Sequence, residues 1–217
     1  MIFIETKELL EEFFKKNGSL AVGSKLINVD NLKILRKKQD LQSLPNEYGC
    51  YFIFSTLSPE KVPCFNDDGY KCFENELSHI DGVFRCIYGG KGGKIRGRVS
   101  KHLFSNHTLL KIKNGVNEKV SSTGSLSLAY VTSKEVSDFK IEKNNLKPFG
   151  KSVKKISKVQ DANGVYFLNG INVEEESWSG VLFGVIAITT DSELGKILIE
   201  QAFVQENGMP PLCKRFG

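Results

Sequence analysis

The sequence predicts a mixed α+β fold with a small, mainly antiparallel central sheet flanked by helices. Runs rich in aromatic and β-branched residues, typical of strands, occupy residues 49–54, 83–88 and 183–188. Apolar residues recur at helical spacing in residues 95–103 and 192–205. Strands and helices therefore alternate along the chain, and neither an all-α nor an all-β fold is expected.

The N-terminal residues 1–45 are expected to form a helical segment that packs on the main domain. Leu9 and Phe13 belong to the apolar face of a first predicted helix. A second helix is predicted to begin at Asp30, a suitable N-cap, and to stop before Pro45.

Composition restricts the classes of protein to which the chain can belong. The longest apolar run, residues 181–188, is too short to span a bilayer, and the acidic first dozen residues do not resemble a signal peptide. The five cysteines form no CxxC pair, which argues against a disulfide framework or a zinc site and is typical of a reducing cytoplasm. We therefore expect a cytoplasmic protein without a membrane partner. Its net charge of +5 is compatible with a polyanionic partner.

The segment from Ile87 to His102 carries the densest chemistry in the sequence. Four of the five residues 89–93 are glycines, which predicts a strand that passes through a glycine-rich turn into a helix. Arg98 and His102 are four residues apart, so they lie one above the other at the edge of the helix's apolar stripe. Taken alone, a segment of this kind is more often an ordinary loop before a basic helix with a solvated face.

Two tyrosines stand at the ends of the first two predicted strands. Gly49 lies two residues before Tyr51, and Gly89 directly follows Tyr88. Antiparallel pairing of these strands would bring both hydroxyl groups to one side of the sheet, the side that also receives the helix with Arg98 and His102.

Glu200 lies among apolar residues on the last predicted helix, whose start resembles a capping box of Thr190 and Glu193. A carboxylate near Ile197 and Phe203 is unfavourable to bury unless it meets a cation or a metal ion. The other reading places Glu200 on the solvated edge of the helix.

Seven lysines lie between residues 140 and 158, with Glu142 as their acidic neighbour. Such a run is typical of a solvated face, and it also suits the neutralisation of phosphate groups.

Five motifs follow one another in order: Gly49-Cys50-Tyr51, Tyr88-Gly89-Gly90-Lys91, Arg98 with His102, Glu200, and Pro210-Pro211. Together they resemble the GIY-YIG nuclease family, in particular its small type II restriction endonucleases. The spacing from Gly90 to Arg98 and from Arg98 to His102 agrees with the family pattern. The family's final asparagine has no clear equivalent, because Leu212, Cys213 and Lys214 stand at that place. The resemblance implies one GIY-YIG-like nuclease domain over residues 46–217, with insertions at about 55–82 and 105–180.

The resemblance also implies roles for individual residues in hydrolysing a phosphodiester bond. Tyr51 is expected to act as the base, provided that nearby cations lower its pKa, and His102 to take its proton or orient its hydroxyl group. Tyr88 would position the phosphate or the water, and Lys91 and Arg98 would be electrostatic groups. Glu200 would hold one Mg²⁺ or Mn²⁺, because a single carboxylate cannot support a bridged metal pair. The expected nucleic-acid contacts are Gly90, Lys94, Lys101, Lys151, Lys154 and Lys155.

The expected function is that of a site-specific, metal-dependent endonuclease that cleaves double-stranded DNA. A two-fold dimer is the usual solution for a palindromic target. Two alternatives remain open at this point. One is a structure-specific repair or mobile-element nuclease of the same family, and the other is a DNA-binding module whose catalysis is impaired.

Overall fold

The structure is a computed structural model that describes residues 1–15, 27–59, 62, 73, 75–104, 107–113, 116–123, 130–131, 146–148, 166–167, 171–174 and 178–213. The chain divides into two compact units. The first combines Met1–Arg98 with Val181–Gly217, and the second is Val99–Gly180.

The strands are β1 (Ile2–Ile4), β2 (Lys33–Leu35), β3 (Gly49–Ser55), β4 (Glu76–His79), β5 (Gly82–Gly92), β6 (His107–Lys113), β7 (Val116–Thr123), β8 (Tyr130–Val131), β9 (Leu146–Pro148), β10 (Tyr166–Phe167) and β11 (Phe183–Thr190). The α-helices are α1 (Thr6–Lys15), α2 (Ile95–Leu103) and α3 (Glu193–Asn207). Two short 3-10 helices occupy Val29–Asn31 and Lys38–Ser43. Among the described residues, no helix is both long and apolar enough to cross a membrane.

A six-stranded sheet organises the first unit. Its order is β1-β11-β3-β5-β4, and β2 pairs with the other half of β11. The pair of β1 and β11 is parallel, whereas β11 with β2, β11 with β3, β3 with β5, and β4 with β5 are antiparallel. The predicted fold class, a mixed α+β fold with a mainly antiparallel sheet flanked by helices, is therefore confirmed.

The hydrophobic core of this unit lies between the sheet and α3. Phe203 stacks on Phe52 of β3, with ring centroids 3.6 Å apart, and on Phe73, with centroids 5.8 Å apart. Leu198, Ile199 and Ala202 of the same helix belong to this core. The packing fixes α3 against β3 and β5, the two strands that carry the predicted tyrosines.

Replacing Phe203 with alanine should lower the free energy of unfolding by about 3–5 kcal/mol, because a buried aromatic ring is lost and a cavity remains. Urea denaturation measures this loss. Phe3 of β1, which is 53% exposed, provides the matched control, and its replacement with alanine should cost less than about 0.5 kcal/mol. Equal losses in the two variants would contradict the assignment of this core.

The N-terminal segment is only partly helical. The first predicted helix is present as α1, but the second is wrong, because its residues form two 3-10 helices and β2. Leu35 is fully buried opposite Phe183, and β2 completes the sheet by pairing with β11. The Asp40 carboxylate accepts the backbone N–H groups of Arg36 and Lys37, which caps the 3-10 helix Lys38–Ser43 just after the strand. Tertiary pairing thus overrides local helix propensity.

The glycines after Tyr88 also differ from the prediction. Gly89 to Gly92 were expected to form a turn, but they extend β5 and pair with Gly49 to Phe52 of β3. The predicted 55–82 insertion contains β4, which forms a hairpin with β5.

The start of α3 lies two residues later than the predicted cap. Ser192 is the N-cap, and its hydroxyl group accepts the Gly195 backbone N–H at 3.1 Å. The predicted capping box of Thr190 and Glu193 is therefore wrong. Glu193 instead pairs with Lys196.

The second unit contains two further sheets. One has the order β7-β6-β9, and the other pairs β10 with β8; the pairs within both are antiparallel. The backbone N–H of Val173 donates to the carbonyl of Leu103, the last residue of α2.

Candidate active site

Antiparallel pairing of β3 with β5 places Tyr51 and Tyr88 on the same face of the sheet. Tyr51 lies opposite Gly90, and Ile53 lies opposite Tyr88, so the two tyrosines are diagonal neighbours. Their ring centroids are 6.3 Å apart. The expectation that pairing brings both hydroxyl groups to one side is confirmed.

Glycines of β5 leave room for the side chains around this tyrosine pair. A Cβ atom at Gly90 would lie 2.6 Å from the Tyr51 hydroxyl oxygen, and one at Gly92 would lie 2.9 Å from Cγ of Arg98. Both distances are too short for real side-chain contacts, so larger residues would displace Tyr51 or Arg98. The close approach of DNA to Gly90 remains a prediction.

Arg98, Tyr51 and Tyr88 form a hydrogen-bonded chain. The exposed Arg98 guanidinium donates to the Tyr51 hydroxyl group, which in turn donates to the hydroxyl group of Tyr88. A hydrogen bond therefore joins a permanently charged guanidinium to the hydroxyl group of a buried phenol.

Burial raises the pKa of Tyr51 above its usual range, and the neighbouring Tyr88 raises it further. Arg98 opposes both effects without overcoming them. The pKa of Tyr88 is raised as well, chiefly by burial. The chain alone therefore does not meet the condition for Tyr51 to act as a base, that nearby cations lower its pKa, since desolvation outweighs the guanidinium charge.

Lys91 and Glu200 form an ion pair on the other face of the sheet from the tyrosines. Their charged atoms are 3.1 Å apart, and the side chains are 22% and 16% exposed. Lys91 lies opposite Cys50, so it leaves the sheet on the face covered by α3 rather than on the face of Tyr51. The Glu200 charge nevertheless raises the pKa of Tyr88, so both groups act on the same small region. The half-buried Glu200 carboxylate therefore pairs with a cation, as its apolar surroundings require.

The C-terminal turn holds the residues on both sides of Tyr88. The Leu212 backbone N–H donates to the carbonyl of Ile87, and the Gly89 backbone N–H donates to the Cys213 sulfur at 3.3 Å. The same thiol lies 3.4 Å from the Gly89 carbonyl, to which it donates. Cys213 therefore fixes the β5 edge at Tyr88, a role that no spacing in the sequence signals.

Asn207, the nearest asparagine before the prolines, serves a different purpose. Its amide group donates to the Phe203 carbonyl at 2.9 Å, and its oxygen accepts from Asn75 at 2.8 Å. It therefore ties the end of α3 to the segment before β4.

Among the described residues, the buried Cys50 and Cys86 and the half-buried Cys213 lie around this framework. Burial raises the pKa of Cys50 and Cys86 well above the usual range and that of Cys213 to about 12. The sulfur of Cys50 donates to the carbonyl of Lys196, and that of Cys86 to the carbonyl of Tyr88. All three thiols are accordingly neutral at pH 7.

These raised pKa values predict a loss of stability in alkali. The folded state favours the neutral thiols and phenols, whereas the unfolded chain ionises them at their usual pKa values near 8.5 and 10. The free energy of unfolding should stay constant up to about pH 8 and then fall by about 1.4 kcal/mol per pH unit for each group that ionises on unfolding. Urea midpoints between pH 7 and pH 10 measure this fall. Cys213→Ser should flatten it, and equal stability at pH 7 and pH 10 would contradict it.

The remaining predicted residues have less defined roles. His102 is buried in the last turn of α2, and Lys94 and Lys101 are exposed. Lys151, Lys154 and Lys155 lie outside the described residues.

Glu200 is the candidate metal ligand. Within the described part of the chain, no three His, Cys, Asp or Glu side chains lie close enough to hold a metal ion together. Glu200 offers one carboxylate at the site, which matches the way Mg²⁺ is often held, through one or two carboxylates together with water and substrate phosphate.

Comparisons of this chain with family models, with curated proteins and with solved structures found no match. Inferences about its activity therefore depend on the site itself and on the motif resemblance.

Proposed function

We propose that the chain is a metal-dependent DNA endonuclease of the GIY-YIG type that hydrolyses phosphodiester bonds. The observation that carries this proposal is the hydrogen-bonded chain of Arg98, Tyr51 and Tyr88, together with the ion pair of Lys91 and Glu200 on the other face of the sheet, whose carboxylate charge still acts on Tyr88. Two cations, a carboxylate and two phenols arranged in this way are suited to a substrate that is anionic and becomes more so during reaction.

Arg98 is the group best placed to bind the phosphate. Its guanidinium is exposed, permanently charged and already oriented by Tyr51. A phosphate oxygen bound there would lie next to the Tyr51 hydroxyl group, so the attacking water would be close to the proposed base.

Tyr51 requires further positive charge before it can act as that base. Its pKa is raised in the chain alone, so it holds its proton at neutral pH. The charge of Arg98 is the main effect that lowers this pKa. Lys91 is the second cation of the site, but Glu200 engages it. A cation held by Glu200 would add positive charge to the region that acts on the phenols.

Glu200 is the proposed ligand of a single Mg²⁺, which would supply charge stabilisation to the reacting phosphate when bound. The side chain is 16% exposed, so solvent reaches it. The pairing with Lys91 holds the carboxylate in place.

The proposed substrate is double-stranded DNA. Lys101 is exposed on α2, the helix that contributes Arg98, and Lys94 is exposed immediately before that helix, so both would extend the phosphate contacts. Lys151, Lys154 and Lys155 remain predicted contacts. A site-specific enzyme of this kind would use a two-fold dimer on a palindromic target.

Cleavage assays on different substrates test the proposal. Purified protein is incubated with plasmid DNA, flap structures and four-way junctions, each with Mg²⁺ and with EDTA. Discrete plasmid fragments formed with Mg²⁺ support the site-specific nuclease. Cutting confined to flaps or junctions would favour the structure-specific alternative. Salt-dependent binding without cleavage in Mg²⁺ or Mn²⁺ would identify a DNA-binding module instead.

A further inference from the structure

A β-bulge in β5 determines which face of the sheet carries Tyr88. Phe54 of β3 lies opposite Cys86, but its neighbour Ile53 lies opposite Tyr88, so Ile87 is an extra residue without a counterpart in β3. Successive residues of a regular strand point to opposite faces, and Tyr88 would then share the face of Cys86. The extra residue reverses this alternation.

The reversal brings the two phenols of the candidate site together. Phe84 and Cys86, which precede the bulge, belong to the hydrophobic core beside α3. Tyr88 follows the bulge and lies on the face of Tyr51, to which it is hydrogen-bonded. A shift of β5 by one residue that removed the bulge would turn Tyr88 towards α3, and the phenols would then lie on opposite faces.

The C-terminal turn holds β5 at the bulge. β4 pairs with β5 before this point. At the bulge itself, the Leu212 backbone N–H donates to the carbonyl of the extra residue, Ile87, at 3.0 Å. The Cys213 thiol accepts from the Gly89 backbone N–H and donates to the Gly89 carbonyl. These hydrogen bonds fix the residues on both sides of Tyr88.

The turn is itself held in one conformation. The Cys213 backbone N–H donates to the Pro210 carbonyl at 2.9 Å, which closes a turn over residues 210–213 that contains two prolines. Leu212 is 5% exposed and anchors the turn in the protein. A Cβ atom at Gly89 would lie 3.1 Å from the Phe52 ring and 3.6 Å from Cγ of Pro210. The β5 backbone therefore fits closely between β3 and the turn.

We propose that Cys213 is a positioning residue, whose thiol acts with the Leu212 backbone N–H to hold the bulge that turns Tyr88 onto the face of Tyr51. The proposal rests on the proposed nuclease function, in which Tyr88 would position the phosphate or the water. Cys213 would act on the reaction through Tyr88 alone. Alanine at this position removes both hydrogen bonds to Gly89, whereas the hydroxyl group of serine can still donate and accept.

Fluorine NMR of the full chain tests this role without requiring cleavage. The six tyrosines are replaced by 3-fluorotyrosine, and the variants Tyr88→Phe and Tyr51→Phe assign the two signals of the site. In Cys213→Ala we expect the Tyr88 signal to shift or to divide into two, because its ring is no longer held in one position. Cys213→Ser should restore the signal. Exchange of the Gly89 backbone N–H with solvent should become about tenfold faster in the alanine variant.

Cys50→Ala provides the comparison, because Cys50 is a buried cysteine of the same sheet whose thiol donates to the Lys196 carbonyl. This change should lower stability but leave the Tyr88 signal and the exchange of Gly89 unaltered. Thermal unfolding checks that each variant is folded. If Cys213→Ala does not fold, Cys213→Val takes its place, because valine fills the space of the thiol without making hydrogen bonds.

Cleavage assays connect the position of Tyr88 to the reaction. Cys213→Ala should cleave about 10- to 100-fold more slowly than the wild type with unchanged affinity for DNA, and Cys213→Ser should recover the rate. A wild-type Tyr88 signal in folded Cys213→Ala, or a displaced signal with an unchanged rate, would overturn the positioning role and leave the nuclease proposal standing. A displaced signal in a protein whose wild type cleaves no DNA would support the orienting role of the turn and contradict the proposed function alone.

Discussion

Replacing Glu200 with glutamine should reduce DNA cleavage by about 10²- to 10³-fold while preserving DNA binding. Glutamine keeps the size of the side chain but removes the charge that would hold Mg²⁺ and that pairs with Lys91. Binding should be equal or slightly tighter, because a negative charge leaves the region that receives the phosphate. Single-turnover cleavage and fluorescence anisotropy on the same duplex separate the two effects.

Glu206→Gln is the matched control, since Glu206 is an exposed carboxylate on the same helix. It should cleave at the wild-type rate. Full cleavage by Glu200→Gln would show that the metal ligand is another residue, and parallel loss of binding and cleavage would indicate a structural role for Glu200.

Replacing Arg98 with lysine should reduce cleavage by a similar factor, about 10²- to 10³-fold, even though the charge is kept. Lysine lacks the planar donors that reach a phosphate and Tyr51 together. Because Arg98 opposes the rise of the Tyr51 pKa, its loss leaves less ionised tyrosine at any given pH. The rate profile should therefore shift to higher pH, and a series of cleavage rates from pH 6.5 to pH 9.5 measures this shift.

Arg36→Lys provides the comparison for Arg98→Lys. Arg36 is 58% exposed and pairs with Asp81 of the turn between β4 and β5. Its replacement should change neither the rate nor the profile. An Arg98→Lys enzyme with normal rates would mean that a point charge is sufficient and that the hydrogen bond to Tyr51 has no part in catalysis.

Local sequence patterns predicted the elements that build the candidate site. Alternating aromatic and β-branched residues mark β3 and β11, and the pairing of Tyr51 with Gly90 follows once β3 and β5 are antiparallel. The ion pair of Glu200 followed from a simple electrostatic argument, because a carboxylate among apolar side chains needs a partner. Such inferences succeed where the cause lies within a few residues.

Long-range pairing accounts for what the sequence did not reveal. Leu35 belongs to a strand because it pairs with β11, which is distant in the sequence. The local pattern favoured a helix because it carries no information about this pairing. The glycines of β5 remain extended because β3 supplies their partners. Cys213 supplies a thiol that holds Gly89, and its role depends on where the C-terminal turn lies.

The raised pKa of Tyr51 has the same origin. Sequence position showed that cations stand nearby, and they do, but the pKa depends on how completely the phenol is removed from water. Burial is a property of the packed sheet. The same packing that fixes the position of the Tyr51 hydroxyl group also raises its pKa, so the fold sets the protonation state of this group.

The most direct test of nuclease activity at this site is to sequence the DNA ends that the chain produces. Wild-type protein and Glu200→Gln, purified identically, are incubated with mixed-sequence DNA in Mg²⁺, and all new ends are mapped. The account predicts abundant ends that share a common sequence for the wild type and a background level for Glu200→Gln. Wild-type ends no more frequent than those of Glu200→Gln, or equal numbers of ends in EDTA, would contradict it.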